Sequence, residues 1–454
     1  MSDLAIVNPA TETQIARVAN HDLGATDRAI ERAAAAFAAW RKVTPVDRSR
    51  LLRRFAEVVD AHVEELAQLE VANAGHTISN ARWEAGNVRD VLAYYAGAPE
   101  RHSGLQIPVA GGVDLTFYEP LGVVGIIVPW NFPMPIAAWG LGPALAAGNT
   151  VVLKPATLTP LTALRLAELA LEAGLPDGVF EVVTGDGPLV GNRFVTHPAV
   201  RKVCFTGSNS VGRLIMEGCA QQVKRVTLEL GGKSANIIFA DADVEKAAAS
   251  APYAVFDNAG QDCCARSRIL VEASAYDRFM ELFEPAVKGV QVLDPRSETS
   301  EMGPLITAAQ RASVLDFVDE SEVAFRGSAP EGPGYWMAPT VLETTDTNSR
   351  AFREEIFGPV VSVVRFADEA DAIRLANESI FGLSGSIWSR DVGRALRVAR
   401  GVETGALSVN SNSSVRYSTP FGGFKQSGLG RELGPDALHG FSEEKNVFIA
   451  TEDN

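Results

Sequence analysis

Residues 122–156 read GVVGIIVPWNFPMPIAAWGLGPALAAGNTVVLKPA, and this stretch sets the fold class of the chain. Two short apolar runs, 122–128 and 150–153, predict buried strands. The segment between them, 137–147, predicts a helix. A strand, a helix and a second strand in this order form a βαβ unit, which is typical of a parallel sheet.

The same alternation continues toward the C-terminus. A helix is predicted at 162–173, and further short strands are predicted at 179–183, 203–205 and 226–228. This pattern favours a parallel sheet with helices on both faces, and ligands of such sheets bind beyond the carboxyl ends of the strands. A second alternating region follows Gly232 and indicates a second α/β domain, with strands predicted at 236–239, 269–271 and 361–364.

On the N-terminal side, apolar residues recur at helical spacing. Helices are predicted at 26–42, 47–73 and 80–97. Thr26 is the predicted N-cap of the first of them. Residues 113–118 alternate between apolar and polar, which predicts an antiparallel strand that serves as a sheet edge or as an arm between subunits.

Composition narrows the class of protein. The chain has 454 residues, 46% hydrophobic and 21% charged, enough for two or three globular domains. Its net charge of −15 argues against nonspecific binding to nucleic acid. The N-terminus shows no secretory pattern, and the longest strand-like apolar run is too short to cross a bilayer. We therefore expect a cytoplasmic protein that does not bind membranes.

The four cysteines, Cys204, Cys219, Cys263 and Cys264, do not form a disulfide framework in a chain of this length. They fit a reducing compartment. The six histidines are scattered, so the sequence predicts no metal site.

Two stretches carry residues suited to covalent catalysis. Residues 258–266 read NAGQDCCAR, and residues 229–233 read ELGGK. A thiolate at Cys263 or Cys264 is a strong nucleophile near neutral pH, and Glu229 supplies a carboxylate just before a glycine turn. For a cysteine alone, a buried structural thiol is the more common role.

Other stretches follow predicted strands. Residues 129–133 (PWNFP) fix Asn131 between prolines, where its amide can donate to an oxyanion or simply form a turn. Lys154 can reach a ribose or phosphate, or be solvated. Gly207 and Ser208, with Gly212 in the following helix, can hold a pyrophosphate or form a plain turn. Residues 354–359 (EEIFGP) and 420–428 (PFGGFKQSG) are more often structural.

Taken together and in this order, these stretches resemble the aldehyde dehydrogenase superfamily over nearly the whole chain, most specifically in 229–233 and 260–263. The resemblance implies a Rossmann-like cofactor-binding domain (1–102 and 120–231), an α/β catalytic domain (232–435) and a small β oligomerisation element (103–119 and 436–454). It implies a homodimer or homotetramer. It implies NAD or NADP as cofactor, with an aldehyde as substrate.

The resemblance also implies roles for single residues. Cys263 matches the nucleophile, Glu229 the general base and Asn131 the oxyanion donor, with Cys264 a variable neighbour. The positions that match cofactor contacts are Trp130, Lys154, Gly207, Ser208, Gly212, Leu230, Glu355 and Phe357. Trp139 matches an aromatic lining of the substrate tunnel. The implied reaction passes through a thiohemiacetal and a thioester on Cys263, and the presence of Glu229 favours hydrolysis over transfer to coenzyme A.

Three features leave the specificity open. Thr157 stands where many NAD-preferring members carry a glutamate, so the choice between NAD, NADP and use of both stays open. Arg416, at the implied rim of the tunnel, could hold a carboxylate of a semialdehyde acid, and Asp262 could favour an amino-aldehyde; surface charge is the more common role for both. The competing hypotheses are a catalytically silent relative and a cysteine hydrolase, but no histidine lies in the matched stretches to serve a hydrolase.

Overall fold

The computed structural model describes residues 3–413 and 415–451. In chain order the strands are β1 Asp3–Val7, β2 Gln14–Ala19, β3 Gln106–Val109, β4 Gly112–Pro120, β5 Val123–Ile127, β6 Thr150–Lys154, β7 Phe180–Val182, β8 Val200–Thr206, β9 Arg225–Glu229, β10 Ala235–Ile238, β11 Arg268–Glu272, β12 Val323–Arg326, β13 Thr340–Glu343, β14 Val360–Phe366, β15 Phe381–Gly382, β16 Ser384–Trp388, β17 Ala406–Val409, β18 Phe424–Lys425, β19 Gly428–Leu429 and β20 Ser442–Ala450. The α-helices are α1 Leu23–Trp40, α2 Pro45–Ala61, α3 Val63–Ala74, α4 Ile78–Ala96, α5 Pro133–Ala146, α6 Leu161–Glu172, α7 Asn192–Thr196, α8 Asn209–Ala220, α9 Val244–Phe256, α10 Tyr276–Lys288, α11 Ala308–Asp319, α12 Arg350–Arg353, α13 Glu369–Asn377 and α14 Val392–Gly401.

The first large sheet has the strand order β19-β9-β8-β5-β6-β7. Its strands β5 to β9 run parallel, which confirms the predicted βαβ alternation. Val124 and Ile126 of β5 pack into one core cluster with α5, and Val123 and Ile127 pack into another with α1. Because successive strand residues point to opposite faces, helices cover both faces of this sheet, as predicted.

The second large sheet has the order β12-β13-β14-β11-β10-β16-β17, and it is parallel except at its β12 edge. It confirms the predicted second α/β region. The chain also returns from this part to the first sheet, because β19 pairs antiparallel with β9 through Gly428 and Leu429. The first sheet therefore takes a strand from the segment that the sequence assigned to the catalytic domain.

A third sheet, β20-β4-β3, stands apart from the two large ones. We call it the arm. The antiparallel strand predicted at 113–118 lies within β4, which pairs over nine residues with β20 and also with β3. Residues 452–454 of the predicted oligomerisation element lie outside the described residues. Large apolar side chains are exposed on the arm: Leu105, Ile107, Val109, Phe117, Val447, Phe448 and Ile449.

Two details of the N-terminal helices differ from the prediction. Thr26 is not the N-cap of α1; Asp22 is, since its side chain accepts from Ala25 N at 2.7 Å, and the Thr26 hydroxyl donates to the Asp22 carbonyl instead. The helix predicted at 47–73 is two helices, because His62 leaves the helical conformation (φ −116°, ψ 14°) between them. The strands β1 and β2 were not predicted from the sequence.

Helix α5 is buried on every side, from Pro133 to its last residue Ala146. A helix that is apolar all round belongs in a core. It begins directly after the loop carrying Asn131, so the core fixes that loop. Within the described part of the chain, no helix combines the length and the apolar character that crossing a bilayer requires.

Candidate active site

The predicted site residues gather at the carboxyl ends of four neighbouring strands. Lys154 ends β6, Asn131 follows β5, Gly207 follows β8 and Glu229 ends β9. These strands lie side by side in the order β9-β8-β5-β6. This is the edge at which open parallel sheets bind ligands.

Cys263, the predicted nucleophile, follows a left-handed turn. Asn258, Ala259 and Gly260 have φ of 49°, 53° and 69°, a run of positive values that side chains rarely adopt. A Cβ on Gly260 would lie 2.0 Å from the Gly358 carbonyl oxygen, so this position requires glycine. Gln261 anchors the turn: its amide donates to the Asn258 carbonyl at 3.1 Å, and its Oε1 accepts from Ile306 N at 2.9 Å.

Asn131 joins the first sheet to this turn. Its Nδ2 donates to the Gln261 carbonyl at 2.9 Å, and its own carbonyl accepts from Asn258 Nδ2 at 2.8 Å. The residue is buried. The amide is therefore held two residues from Cys263, and it keeps a second N–H for a ligand.

Cys263 is half-buried, and Cys264 is buried beside it. The hydrogen bond with Cys264 and burial raise the pKa of the Cys263 thiol well above its usual value, and the charges of Asp262 and Glu355 act in the same direction. The Asp262 carboxylate accepts from Cys264 N at 2.8 Å, which fixes its position next to the sulfur atoms. The resting site therefore favours the neutral thiol.

Glu229 lies buried at the end of β9. Neither of its carboxylate oxygens has a hydrogen-bond partner among residues 3–413 and 415–451. Burial raises the pKa of Glu229 well above its usual value, and the charge of Glu432 adds to the shift. An unpartnered buried carboxyl can take up a proton and orient a water molecule.

Sequence reasoning did not identify Glu432 or Lys202. Glu432 is buried, and burial raises its pKa to about 7 while the charge of Lys202 lowers it. Lys202 donates to the Thr227 hydroxyl at 2.7 Å. These groups come from strands and loops far apart in sequence, and no local motif marks them.

Glycines bring the segments of Glu229 and Cys263 close together. A Cβ on Gly232 would lie 2.0 Å from the Cys263 carbonyl oxygen, and one on Gly231 would lie 2.4 Å from Glu355. The Glu355 carboxylate accepts from Gly232 N at 2.8 Å, and burial raises its pKa to about 7. Glycine at 231 and 232 therefore allows this turn to lie directly against the Cys263 backbone and the Glu355 side chain.

The loop at 420–428, which sequence alone marked as structural, packs on the base. Leu230 N donates to the Ser427 carbonyl at 2.8 Å, and the Ser427 hydroxyl donates to the Gly231 carbonyl at 2.6 Å. A Cβ on Gly422 would lie 2.7 Å from Glu229 Oε1. The loop therefore encloses the carboxyl group of Glu229.

The predicted cofactor residues form one surface. The side chain of Ser208, the N-cap of α8, caps no backbone N–H, so the donors of this twelve-residue helix remain available. A Cβ on Gly212 would lie 2.7 Å from Leu230, which explains glycine there. Burial lowers the pKa of Lys154 to about 8. These features fit a dinucleotide whose pyrophosphate lies at the start of α8.

Aromatic rings lie next to the predicted cofactor residues and next to Phe421 of the loop at 420–428. The Trp130 and Phe357 rings meet edge to face at 5.3 Å, beside the Glu355 segment. Trp139 is buried, contacts the Phe421 ring at 5.2 Å and donates to Asn87 Oδ1 at 3.2 Å. Arg416 is exposed. The structure thus places the predicted residues Asn131, Lys154, Gly207 and Glu229 at one edge of the first sheet, and the predicted rim residue Arg416 is exposed.

Two groups of described residues have side chains of metal-binding type close together: Asp262 with Cys263 and Cys264, and Glu70 with His76 and Glu84. The second group is assembled from three separate positions on α3, α4 and the turn between them. Sequence spacing did not predict it, because its members meet only when α3 packs on α4. All four cysteines of the chain are free.

Comparison with known proteins gives consistent matches along the chain. A family model described as the aldehyde dehydrogenase family matches residues 2–447. A phenylacetaldehyde dehydrogenase from Pseudomonas fluorescens is 40% identical over 464 residues, covering 98% of this chain and 92% of that protein. Retinal dehydrogenase 2 from Gallus gallus is 40% identical, covering 98% of this chain and 88% of that protein. A crystal structure of betaine aldehyde dehydrogenase from Staphylococcus aureus with NAD+ is similar at a TM-score of 0.97 and 36% identity, covering 100% of this chain and 92% of that one.

Proposed function

The chain belongs to the aldehyde dehydrogenase family, and from that membership we propose that Cys263, Asn131 and Glu229 carry out the oxidation of an aldehyde to a carboxylic acid. When bound, NAD(P)+ supplies the hydride acceptor. Support for the assignment comes from the meeting of these three side chains at the carboxyl edge of one sheet. A silent relative would have no reason to keep all three.

The Cys263 thiolate forms a bond to the aldehyde carbon, and the electrons of the C=O bond move to oxygen. The second N–H of the Asn131 amide and the Cys263 backbone N–H can donate to that oxygen. One such donor is worth about 3–4 kcal/mol in comparable sites. The hydride leaves the tetrahedral carbon as the carbonyl reforms, and a thioester remains on Cys263.

Glu229 then acts on the thioester. Its ionised carboxylate takes a proton from a water molecule, the water oxygen bonds to the acyl carbon, and the C–S bond breaks to release the acid. The single observation that carries this role is the burial of Glu229 with both oxygens unpartnered in the described part of the chain. Because its pKa is raised, the base form increases with pH.

Glu229→Gln tests the assignment. We expect one equivalent of reduced cofactor to form rapidly, followed by steady turnover slowed by roughly 10²–10⁴-fold, because acylation survives and hydrolysis does not. Stopped-flow absorbance of the reduced nicotinamide measures both phases. Glu168→Gln, at an exposed position of α6, is the control. Steady turnover within threefold of wild type would refute the role.

We infer that both NAD and NADP bind. Thr157 is partly exposed three residues after Lys154, and it places no carboxylate against a 2′-phosphate. The solved relative from Staphylococcus aureus is a complex with NAD+. Thr157→Glu should reduce kcat/KM for NADP relative to NAD, with Thr157→Val as the uncharged control. An unchanged ratio would show that this position does not select the cofactor.

For the substrate, we propose that aldehydes with a cationic or neutral distal group react faster than anionic ones. Asp262 is held beside the nucleophile, whereas Arg416 is exposed. The curated relatives differ in the aldehydes that their names give, at similar identity. Rates on 4-aminobutanal, hexanal and succinic semialdehyde decide the point. Equal rates, or the fastest rate on succinic semialdehyde, would reject the proposal.

We also propose that the arm joins copies of the chain into a homodimer or homotetramer. Its exposed apolar side chains lie on paired strands rather than singly over the surface. Contiguous apolar surface of this kind marks an interaction site.

We further propose that the protein lies in the cytoplasm and has no nucleic-acid or membrane partner. The free thiols of Cys263 and Cys264 support a reducing compartment, and fractionation of cells would test the location.

A further inference from the structure

Helix α4 carries a buried polar stripe that contacts three segments of the site. Asn80, Glu84 and Asn87 are spaced at i, i+4 and i+7, so they lie on one face of the helix. Asn80 donates to the Asp257 carboxylate just before the nucleophile turn. Asn87 accepts from Trp139 at 3.2 Å. Polar side chains on a buried helix face need such partners, and here each partner belongs to the site.

Glu84, the central residue of the stripe, contacts His76. The two side chains are nearly inaccessible, and Glu84 Oε1 lies 2.6 Å from His76 Nδ1. A contact of this length places one shared proton between the two atoms. Burial raises the pKa of Glu84 and lowers the pKa of His76, and both shifts favour the neutral pair in which the carboxyl O–H donates to Nδ1.

That proton placement determines the tautomer of the imidazole. With Nδ1 accepting, the ring carries its own proton on Nε2, the only other nitrogen. The backbone of Asn131 forms a hydrogen bond with His76. The His76 ring lies 5.6 Å from the ring of Phe132, the residue after Asn131, so an N–H on Nε2 can donate to the Asn131 carbonyl, which also accepts from Asn258 Nδ2 at 2.8 Å.

We propose that the Glu84–His76 pair is a positioning pair for the oxyanion donor Asn131. The inference rests on the proposed role of Asn131 in the reaction. Glu84 holds His76 in the Nε2–H tautomer, and His76 holds the main chain of Asn131. The side-chain amide of Asn131, itself bonded to the Gln261 carbonyl, then keeps its second N–H for the oxygen of the aldehyde that Cys263 attacks.

The same side chains could in principle bind a divalent metal together with Glu70, whose carboxylate lies 3.9 Å from His76 Nδ1. The geometry favours proton sharing. Ligand atoms about 2.1 Å from one metal lie about 3 Å apart, and the 2.6 Å between Nδ1 and Oε1 is shorter. Nδ1 cannot accept the Glu84 proton and bind a metal with the same lone pair.

His76→Phe tests the pair, because phenylalanine keeps the ring and removes both nitrogens. The rate of the first-turnover burst of reduced cofactor reports acylation, which needs the oxyanion donor. We expect that rate to fall by roughly 10–100-fold, less than the loss of a complete donor. The rate of Cys263 alkylation by iodoacetamide, which forms no oxyanion, should change less than about twofold. A merely structural role would change both rates alike and would refute the proposal.

Variants of Glu84 supply the second part of the experiment. Glu84→Gln can still donate to Nδ1, so its burst rate should stay within about threefold of wild type. Glu84→Leu cannot donate and should match His76→Phe. These variants keep the test valid if His76→Phe does not fold. Equal burst rates for Glu84→Gln and Glu84→Leu would overturn the assignment of the tautomer.

A double-mutant cycle separates this inference from the proposed function. Asn131→Ala should slow the burst, and His76→Phe should have no further effect in that background. If Asn131→Ala leaves the burst unchanged, the proposed function fails. If Asn131→Ala slows it and His76→Phe slows it equally in both backgrounds, the positioning pair fails. One equivalent of metal in the purified enzyme, lost in His76→Phe, would also overturn the pair.

Discussion

The sulfur of Cys263 lies among groups that disfavour its charge. Cys264 and burial raise the pKa of the thiol, and the carboxylates of Asp262 and Glu355 add to the shift. Glu229, the proposed base, likewise has a pKa raised by burial, so it is protonated more readily than an exposed glutamate. Both reactive groups therefore reach their active, ionised forms only as the pH rises. Single residues thus set the pH range in which the enzyme works.

Asp262→Asn should move this range. The substitution removes a negative charge beside the sulfur, so it lowers the pKa of Cys263, and the thiolate forms at lower pH. The rate of Cys263 alkylation by iodoacetamide rises with pH, and this rising limb should shift to lower pH by about half a unit or more. Asp277→Asn, at an exposed position on α10, is the control. A limb that stays in place or moves to higher pH would contradict the prediction.

At the level of secondary-structure elements, each part of the site is held by a contact between elements distant in sequence. The turn at 258–260 fits under Gly358, the loop at 420–428 packs on the end of β9, and α4 contacts three site segments. Loops that are held by rigid helices and strands in this way keep site side chains at fixed distances and orientations. The arm is the exception, since large apolar side chains on it remain exposed in the described chain.

Phe448→Glu on the arm should separate the subunits. Phe448 is 51% exposed on β20, and a buried carboxylate in an apolar interface is costly. We expect the variant to elute as a smaller species, with its mass measured by light scattering. Leu171→Glu on α6, at a matched exposure of 52%, should elute like wild type. An unchanged mass for Phe448→Glu would exclude the arm as the interface.

Across the whole molecule, several carboxyl groups are buried as neutral acids. Glu70 and Glu432 have pKa values raised to about 8 and about 7, in both cases mainly by burial. The folded protein therefore binds more protons than the unfolded chain between the ordinary glutamate pKa and these values. The stability that this burial contributes is fully present at low pH, and it is lost as the pH rises through that interval.

Glu70→Gln should remove part of that pH dependence. The variant should be more stable than wild type at pH 8, where the wild-type carboxyl loses its proton inside the fold. At pH 5 the two proteins should differ little. The free energy of unfolding in urea at both pH values measures the difference. Glu331→Gln, on an exposed loop, should differ from wild type by the same amount at both pH values. The same change in pH dependence in both variants would contradict the explanation.

The sequence was informative where an element or a motif is formed by residues close together in the chain. Apolar runs predicted β5 to β9 of the first large sheet and β10, β11 and β14 of the second, and the motifs at 129–133, 229–233 and 258–266 contain residues that lie at the candidate site. It was wrong where two local choices compete, as at the α1 cap, where Asp22 rather than Thr26 accepts from the first turn. It missed the break at His62, since apolar spacing continues across it.

By itself, then, the amino-acid sequence determined the α/β class, because buried strands and helices are marked by near neighbours in the chain, and the family resemblance of its motifs suggested the roles of Cys263, Glu229 and Asn131. Folding alone placed Glu432 against Glu229, His76 between Glu84 and Asn131, and β19 against β9. The physical reason is that burial and contact between distant segments set charge, tautomer and proton position, and none of these is encoded in local spacing.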